Sequence, residues 1–220
     1  KVFEEERELT MMLMVDVSGS GQFGTFRQFK SEFITEIAAT LAFSATQNND
    51  KIGLILYSSD VELYIPPKKG RSHVLRIIRE LLEFKPKNKQ TDTAEALKFL
   101  SNVMKKKAIV FLLSDFIDSA YDHNLKIASG KHDITGIRVF DKNEVEIPNL
   151  GVVQMLDQET GTSTLVNTSS RKTRRVYAKQ YLNQVNYFKN SFKKAGAGHL
   201  ECRLDESYVK KLLGYFKQRG

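Results

Sequence analysis

The chain has 220 residues, 41% of them hydrophobic and 27% charged, with a formal net charge of +8. That length carries one large domain or two small ones with a sizeable core, and the composition is that of a soluble globular protein rather than a disordered one. A single cysteine, Cys202, excludes an internal disulfide and fits a reducing, cytoplasmic compartment.

No apolar run reaches the roughly 18–20 residues of a membrane helix, so no membrane segment is expected. Lys1–Glu8 is too charged for the start of a signal peptide. Basic residues are spread over Lys68–Lys69, Lys105–Lys107, Arg171–Arg175 and Lys193–Lys194. They lack the aromatic interleaving that stacks bases, so no specific nucleic-acid partner is expected.

Strands and helices alternate along the chain, which predicts a parallel sheet with helices on both faces. The first strand is Leu9–Val15. A helix near Thr25–Thr46 follows, with Phe26, Phe29, Phe33, Ile37 and Leu41 on one face. Asn48-Asn49-Asp50 closes it with turn chemistry. The second strand is Ile52–Ser58, and Val61–Ile65 forms a short neighbour that Pro66-Pro67 ends. A helix near Ser72–Phe84 carries Val74, Ile77, Ile78 and Leu81. Another opens at Thr91-Asp92-Thr93 and runs to about Lys106.

Ala108–Leu113 is an unbroken apolar strand ending at Ser114-Asp115, and Asp118 and Asp122 read as helix-start acids. Ile134–Phe140 is a further strand. Val152–Leu156 and Ser163–Val166 flank a hairpin turn at Asp157–Gly161. A long helix near Ser170–Ala195 carries a core stripe from Tyr177 to Phe192 and stops at Gly196 and Gly198. His199–Leu204 and Tyr208–Lys217 close the chain as strand and helix. No repeat or linker is evident, so residues 1–220 read as a single domain.

The chemistry concentrates in Met12-Leu13-Met14-Val15-Asp16-Val17-Ser18-Gly19-Ser20. A strand buried on both faces ends in an aspartate followed by two alternating serines. Open α/β sheets place ligands at such carboxyl ends. Asp115 ends a second strand on the same edge, and Thr91 opens a helix that can approach it. Asp16, Ser18, Ser20, Thr91 and Asp115 are therefore the candidate metal ligands. All are hard oxygen donors, suited to Mg²⁺, with Mn²⁺ or Ca²⁺ as substitutes, rather than to zinc or copper. Mg²⁺ prefers six oxygens near octahedral geometry, so such a shell is expected to attract one further carboxylate from outside.

Asp-x-Ser-x-Ser at a strand end, a later Thr opening a helix and a later Asp after an apolar strand resemble the metal-ion-dependent adhesion site of von Willebrand factor A (vWA) domains. Asp16, Ser18 and Ser20 match the first motif, Thr91 the second, Asp115 the third. More narrowly, the chain resembles the bacterial DUF58 group. Phe3-Glu4-Glu5-Glu6-Arg7-Glu8-Leu9, Phe111-Leu112-Leu113-Ser114-Asp115-Phe116 and Ile137-Arg138-Val139-Phe140-Asp141 carry that likeness, with Glu144–Pro148, Asp157–Gly161 and Asn167–Arg171.

The resemblance implies a three-layer Rossmann-like vWA fold with a mostly parallel central sheet. It implies a protein-binding module docking an acidic residue of a partner through Mg²⁺, and partnership with a MoxR-type AAA+ ATPase. Members usually carry a further stretch before the Phe-Glu-Glu-Glu-Arg segment, and this chain opens on Lys1 rather than Met. It is therefore expected to be a fragment. Gly21 departs from the Met that many relatives carry after the second serine.

Competing chemistries fit less well. Gly19-Ser20-Gly21-Gln22-Phe23-Gly24 is formally a dinucleotide fingerprint. However, the acid that should hold the ribose about 20 residues on is missing: Asp60 lies 36 residues beyond Gly24. Asp16 would also set a negative charge beside the pyrophosphate. A metal-dependent phosphate-ester hydrolase is the alternative function. An aspartyl-phosphate mechanism needs a second acid two residues after the nucleophile, and position 18 is Ser. His73, His123, His132 and His199 stand in no recognisable triad context. No catalytic residue is assigned.

Overall fold

The computed structural model describes residues 9–19, 24–25, 28–156 and 162–219. Strand β1 (Thr10–Asp16) leads through two-residue strands β2 (Gly24–Thr25) and β3 (Gln28–Phe29) into helix α1 (Lys30–Gln47). Strands β4 (Lys51–Tyr57) and β5 (Val61–Lys68) follow, then helices α2 (Arg71–Glu83) and α3 (Thr93–Val103). Strand β6 (Ile109–Ser114), helix α4 (Asp122–Ser129), strand β7 (Asp133–Phe140) and the single turn α5 (Lys142–Val145) come next. The hairpin strands β8 (Val152–Leu156) and β9 (Ser163–Asn167) precede α6 (Arg171–Ala195), β10 (Gly198–Arg203) and α7 (Tyr208–Arg219).

One six-stranded sheet has the order β10-β7-β6-β1-β4-β5. All pairs are parallel except β4 with β5. Alternation along each central strand splits the core into two layers. Leu13 and Val15 of β1, Leu54 of β4 and Phe111 of β6 pack under α1, α2 and α7, against Phe33, Ile37, Ile77 and Leu212. Met12, Met14, Ile55 and Leu112 face the other way, against Leu97, Leu125, Phe188 and Phe192 of α3, α4 and α6. Strands buried on both faces are continuously apolar for this reason. The result is the mostly parallel, helix-flanked α/β fold that the vWA resemblance implies.

Gly136 of β7 shows how closely α6 lies on the sheet. A Cβ there would stand 2.5 Å from Phe192 Cε1 and Cζ. Gly196 ends α6 with a left-handed φ of 69°, the usual conformation of a glycine past a helix end.

Several boundaries differ from expectation. α3 spans Thr93–Val103 rather than running to about Lys106, and Thr91 precedes its Asp92 cap instead of opening the helix. α1 begins at Lys30 rather than near Thr25, because the preceding residues pair as β2 and β3, and Glu32 Oε2 accepts the Phe29 N–H to close the helix start. Of the expected stripe, Phe33, Ile37 and Leu41 are buried, Phe29 is half exposed, and Phe26 lies outside the described residues. β5 also runs through Pro66-Pro67 to Lys68 rather than stopping before them. It is an edge strand, where a missing N–H costs no ladder bond, and its register with β4 slips between Ile52 and Leu54 beside the prolines. Asp118 does not open a helix: α4 begins at Asp122, and Asp118 Oδ2 accepts the Thr93 N–H of α3 at 2.7 Å. The turn expected at Asp157–Gly161 lies outside the described residues.

Candidate metal centre

The chain passes from β1 to β4 on one side, then crosses back to place β6 on the other. The connections leave on opposite faces of the sheet: α1 packs on one layer, α3 on the other. A crevice opens where that reversal occurs, at the carboxyl ends of β1 and β6, and such switch points hold ligands in open α/β sheets. Asp16 is the last residue of β1; Asp115 directly follows β6.

The backbone draws three segments onto this rim. Val15 pairs with Leu113 and Asp16 with Tyr57. Ser114 Oγ donates to Asp16 Oδ2 at 2.7 Å, and Ser18 N–H donates to Asp16 Oδ1 at 2.9 Å. Gly19 N–H donates to Lys89 O at 2.8 Å, and Asp92 N–H to Ser58 O at 2.8 Å. These two bonds bring the 89–92 loop, with Thr91, to the ends of β1 and β4. Asp92 then caps α3, its Oδ1 accepting from Glu95 N–H at 2.8 Å. Asp16, Ser18, Thr91 and Asp115 thus gather at one edge, and Ser20 lies outside the described residues.

The rim carries more negative charge than its surroundings solvate. Asp16 is 7% exposed and Asp115 5%. Burial, reinforced by the Asp115 charge, pushes the Asp16 carboxyl up to about 7. The Tyr57 hydroxyl is held neutral by burial and by Asp16. Neither it nor Thr93 Oγ1 has a well-formed hydrogen-bond partner among the described residues. Two crowded carboxylates among hydroxyls fit a hard divalent cation. Among the described residues no group of three or more His, Cys, Asp and Glu is placed to hold a metal ion, so hydroxyl oxygens would have to complete the set.

Two participants escaped the sequence reading. Lys30, 1% exposed, donates to Asp115 Oδ2 at 2.7 Å and to Glu144 Oε1 at 2.6 Å. Burial alone would depress its ammonium, but the two carboxylates outweigh that and hold it protonated. A signal existed: Lys30, Phe33, Ile37 and Leu41 follow helical spacing, so a charged residue begins an apolar stripe. Glu144 gave none, because its partner lies 114 positions away. Phe116, directly after Asp115, has a φ of 53° and is fully buried, a conformation a bulky residue adopts only where packing demands it. Its ring stacks on Phe188 at 4.5 Å and meets Phe192 edge-on at 5.3 Å, tying the rim to α6.

Comparison with known proteins places this fold. An uncharacterized protein of Mycobacterium tuberculosis H37Rv, Rv1480, is 26% identical over 159 residues, covering 71% of this chain and 50% of the relative. The uncharacterized protein MAV169 of Mycobacterium avium is 24% identical over 158 residues, covering 70% of this chain and 93% of its own. The chain spans about half the length of the M. tuberculosis relative. Among solved structures, the conserved hypothetical protein BatB from Bacteroides thetaiotaomicron superimposes with a TM-score of 0.61 at 14% identity, covering 96% of this chain and 98% of BatB. An aerotolerance-related membrane protein from Bacteroides fragilis, carrying multiple mutations to serine, gives 0.61 at 13% identity, covering 96% and 99%. At such identities the likeness concerns the fold alone. No helix among the described residues of this chain is long and apolar enough to cross a membrane. Residues 1–187 match the family described as protein of unknown function DUF58, so the chain belongs to that family.

Proposed function

We propose that this domain is a non-enzymatic protein-binding module in which Asp16, Ser18, Ser20, Thr91 and Asp115 hold Mg²⁺ and present it to a carboxylate on a partner protein. A MoxR-type AAA+ ATPase is the partner class we favour, and the cytoplasm the compartment. The observation that supports this most is the meeting of Asp16, Ser18, the Thr91 loop and Asp115 at the switch point between β1 and β6, with Asp16 raised to about 7. A bound divalent cation supplies a Lewis-acid docking point for an external carboxylate. Asp16 and Asp115 contribute charge, directly or through water, the hydroxyls contribute neutral oxygens, and a six-coordinate cation would have a remaining position for an external carboxylate.

The hydrolase reading has less support. His73 Nε2 meets Ile52 O near the amino end of β4. His132 directly precedes β7, and His199 is the second residue of β10. These three lie at the sheet edge away from Asp16, where they cannot serve it as general acid or base.

Calorimetric titration of the chelator-stripped protein with Mg²⁺ tests the site. Binding is expected in the wild type and lost in Asp16→Ala with the fold intact; unchanged affinity in that variant refutes the assignment. Partner recovery in pull-downs should fall when chelator is added, and equal recovery with and without chelator rules out metal-bridged docking. Robust phosphate-ester turnover with Mg²⁺ or Mn²⁺, abolished by Asp16→Ala, would favour the enzyme instead.

A further inference from the structure

Lys30 is the most unusual residue near the rim. Lysine is almost never fully buried unless paired, and here one ammonium is shared between two carboxylates, Asp115 and Glu144. Glu144 is itself held: its Oε2 accepts the Asp141 N–H at 3.1 Å. The Asp141–Glu144 turn thus fixes the ammonium from one side, and the ammonium fixes Asp115 from the other. The second Asp115 oxygen accepts the Ile117 N–H at 3.3 Å. Asp115 is therefore oriented, and part of its charge is already neutralised.

We infer that Lys30 is a built-in counter-cation that restrains Asp115 and sets how tightly the rim binds a divalent metal. The inference rests on the metal-site reading above. A metal at Asp16 and Asp115 competes with the Lys30 ammonium for the same carboxylate and is repelled by it. The metal alone binds weakly as a result, because Lys30 holds part of the Asp115 charge, and an incoming partner carboxylate adds the donor strength that Asp115 withholds. Lys30 is a positioning residue: it acts on the metal through Asp115. Glu144 opposes it, drawing the ammonium away from Asp115 and adding negative charge nearby.

The probe is Mn²⁺, titrated at pH 8 into chelator-stripped wild type, Lys30→Met, Glu144→Gln and the exposed control Lys106→Met, which lies before the amino end of β6, with circular dichroism verifying the fold. Lys30→Met is expected to bind Mn²⁺ at least roughly ten-fold more tightly, since it removes a cation one hydrogen bond from Asp115, and Glu144→Gln roughly three-fold more weakly. Lys106→Met should stay within about two-fold, because solvent screens its charge. A purely structural role predicts the opposite sign for Lys30→Met. Should Lys30→Met not fold, the charge-balanced Lys30→Met/Glu144→Gln variant is compared with Glu144→Gln alone and should bind more tightly. Wild-type binding that is unchanged or weakened by Lys30→Met in a folded protein, or strengthened by Glu144→Gln, overturns the inference. No Mn²⁺ binding in wild type and in Lys30→Met overturns the metal site itself, whereas binding in Lys30→Met alone supports the clamp.

Discussion

Replacing Asp16 with Asn should stabilise the metal-free protein at alkaline pH while abolishing metal binding. The Asp16 carboxyl is raised from 3.8 to about 7 in the fold by burial and by Asp115. Because the folded value lies above the unfolded one, the stability that Asp16 contributes is fully present below about pH 4. It is lost progressively as the pH rises to about 7, and above that the fold carries a disfavoured charge. A carboxyl carried from 3.8 to about 7 resists ionisation by about 1.4 kcal/mol per pH unit, so the penalty at pH 8 is at most about 4 kcal/mol. Asparagine cannot ionise and keeps its oxygen on the Ser18 N–H. Its amide must donate to Ser114 Oγ, which already accepts the Phe116 N–H at 3.0 Å, so the Ser114 proton needs a new acceptor at a cost of about 1 kcal/mol. The expected gain is about 2–3 kcal/mol at pH 8 in chelator, turning into a loss of about 1 kcal/mol near pH 4, where only the hydrogen-bond cost remains. Urea unfolding of wild type and Asp16→Asn at both pH values measures it. A gap that does not depend on pH, or a variant less stable than wild type at pH 8, refutes the electrostatic reasoning. Excess Mg²⁺ should raise the wild-type midpoint and leave the variant unmoved, as expected of a ligand that binds only the native wild-type state.

Gly136→Ala should cost about 1–3 kcal/mol in urea unfolding, because its Cβ meets the Phe192 ring at 2.5 Å and α6 must lift from the sheet. Phe116→Ala should cost about 3–5 kcal/mol from the lost ring contacts with Phe188 and Phe192. Phe116→Gly should then recover about 1 kcal/mol relative to Ala by relieving the φ of 53°; a glycine variant less stable than the alanine one argues against strain. Asp92→Ala, which deletes the α3 cap, should lower stability by about 1 kcal/mol, read from the thermal midpoint at fixed pH.

The central strands were legible in the chain because burial on both faces leaves a continuous apolar run. β1, β4 and β6 fall within a residue of their expected limits. The helix faces of α2 and the carboxyl-terminal half of α6 were legible from helical spacing: Val74, Ile77 and Leu81 are buried, as are Val185, Phe188 and Phe192. Boundaries failed where strand pairing or position in the sheet overrode local preference. The start of α1 yielded to the β2–β3 pair, and Pro66-Pro67 stayed in β5 because that strand lies at the sheet edge.

The local order of oxygen donors, Asp16-x-Ser18-x-Ser20 after a strand and Asp115 after another, is written in the chain, because each motif needs only its own strand and turn. Which strands stand beside each other is not. The reversal between β1 and β6 and the reach of the 89–92 loop to the rim join distant segments, and the Lys30 ammonium is seated between Asp115 and Glu144, 85 and 114 positions away. Periodicity reports only what a residue shares with its near neighbours along the chain. The charge balance at this rim arises instead from packing that brings distant groups together out of water, where opposite charges must pair and like charges shift one another's protonation.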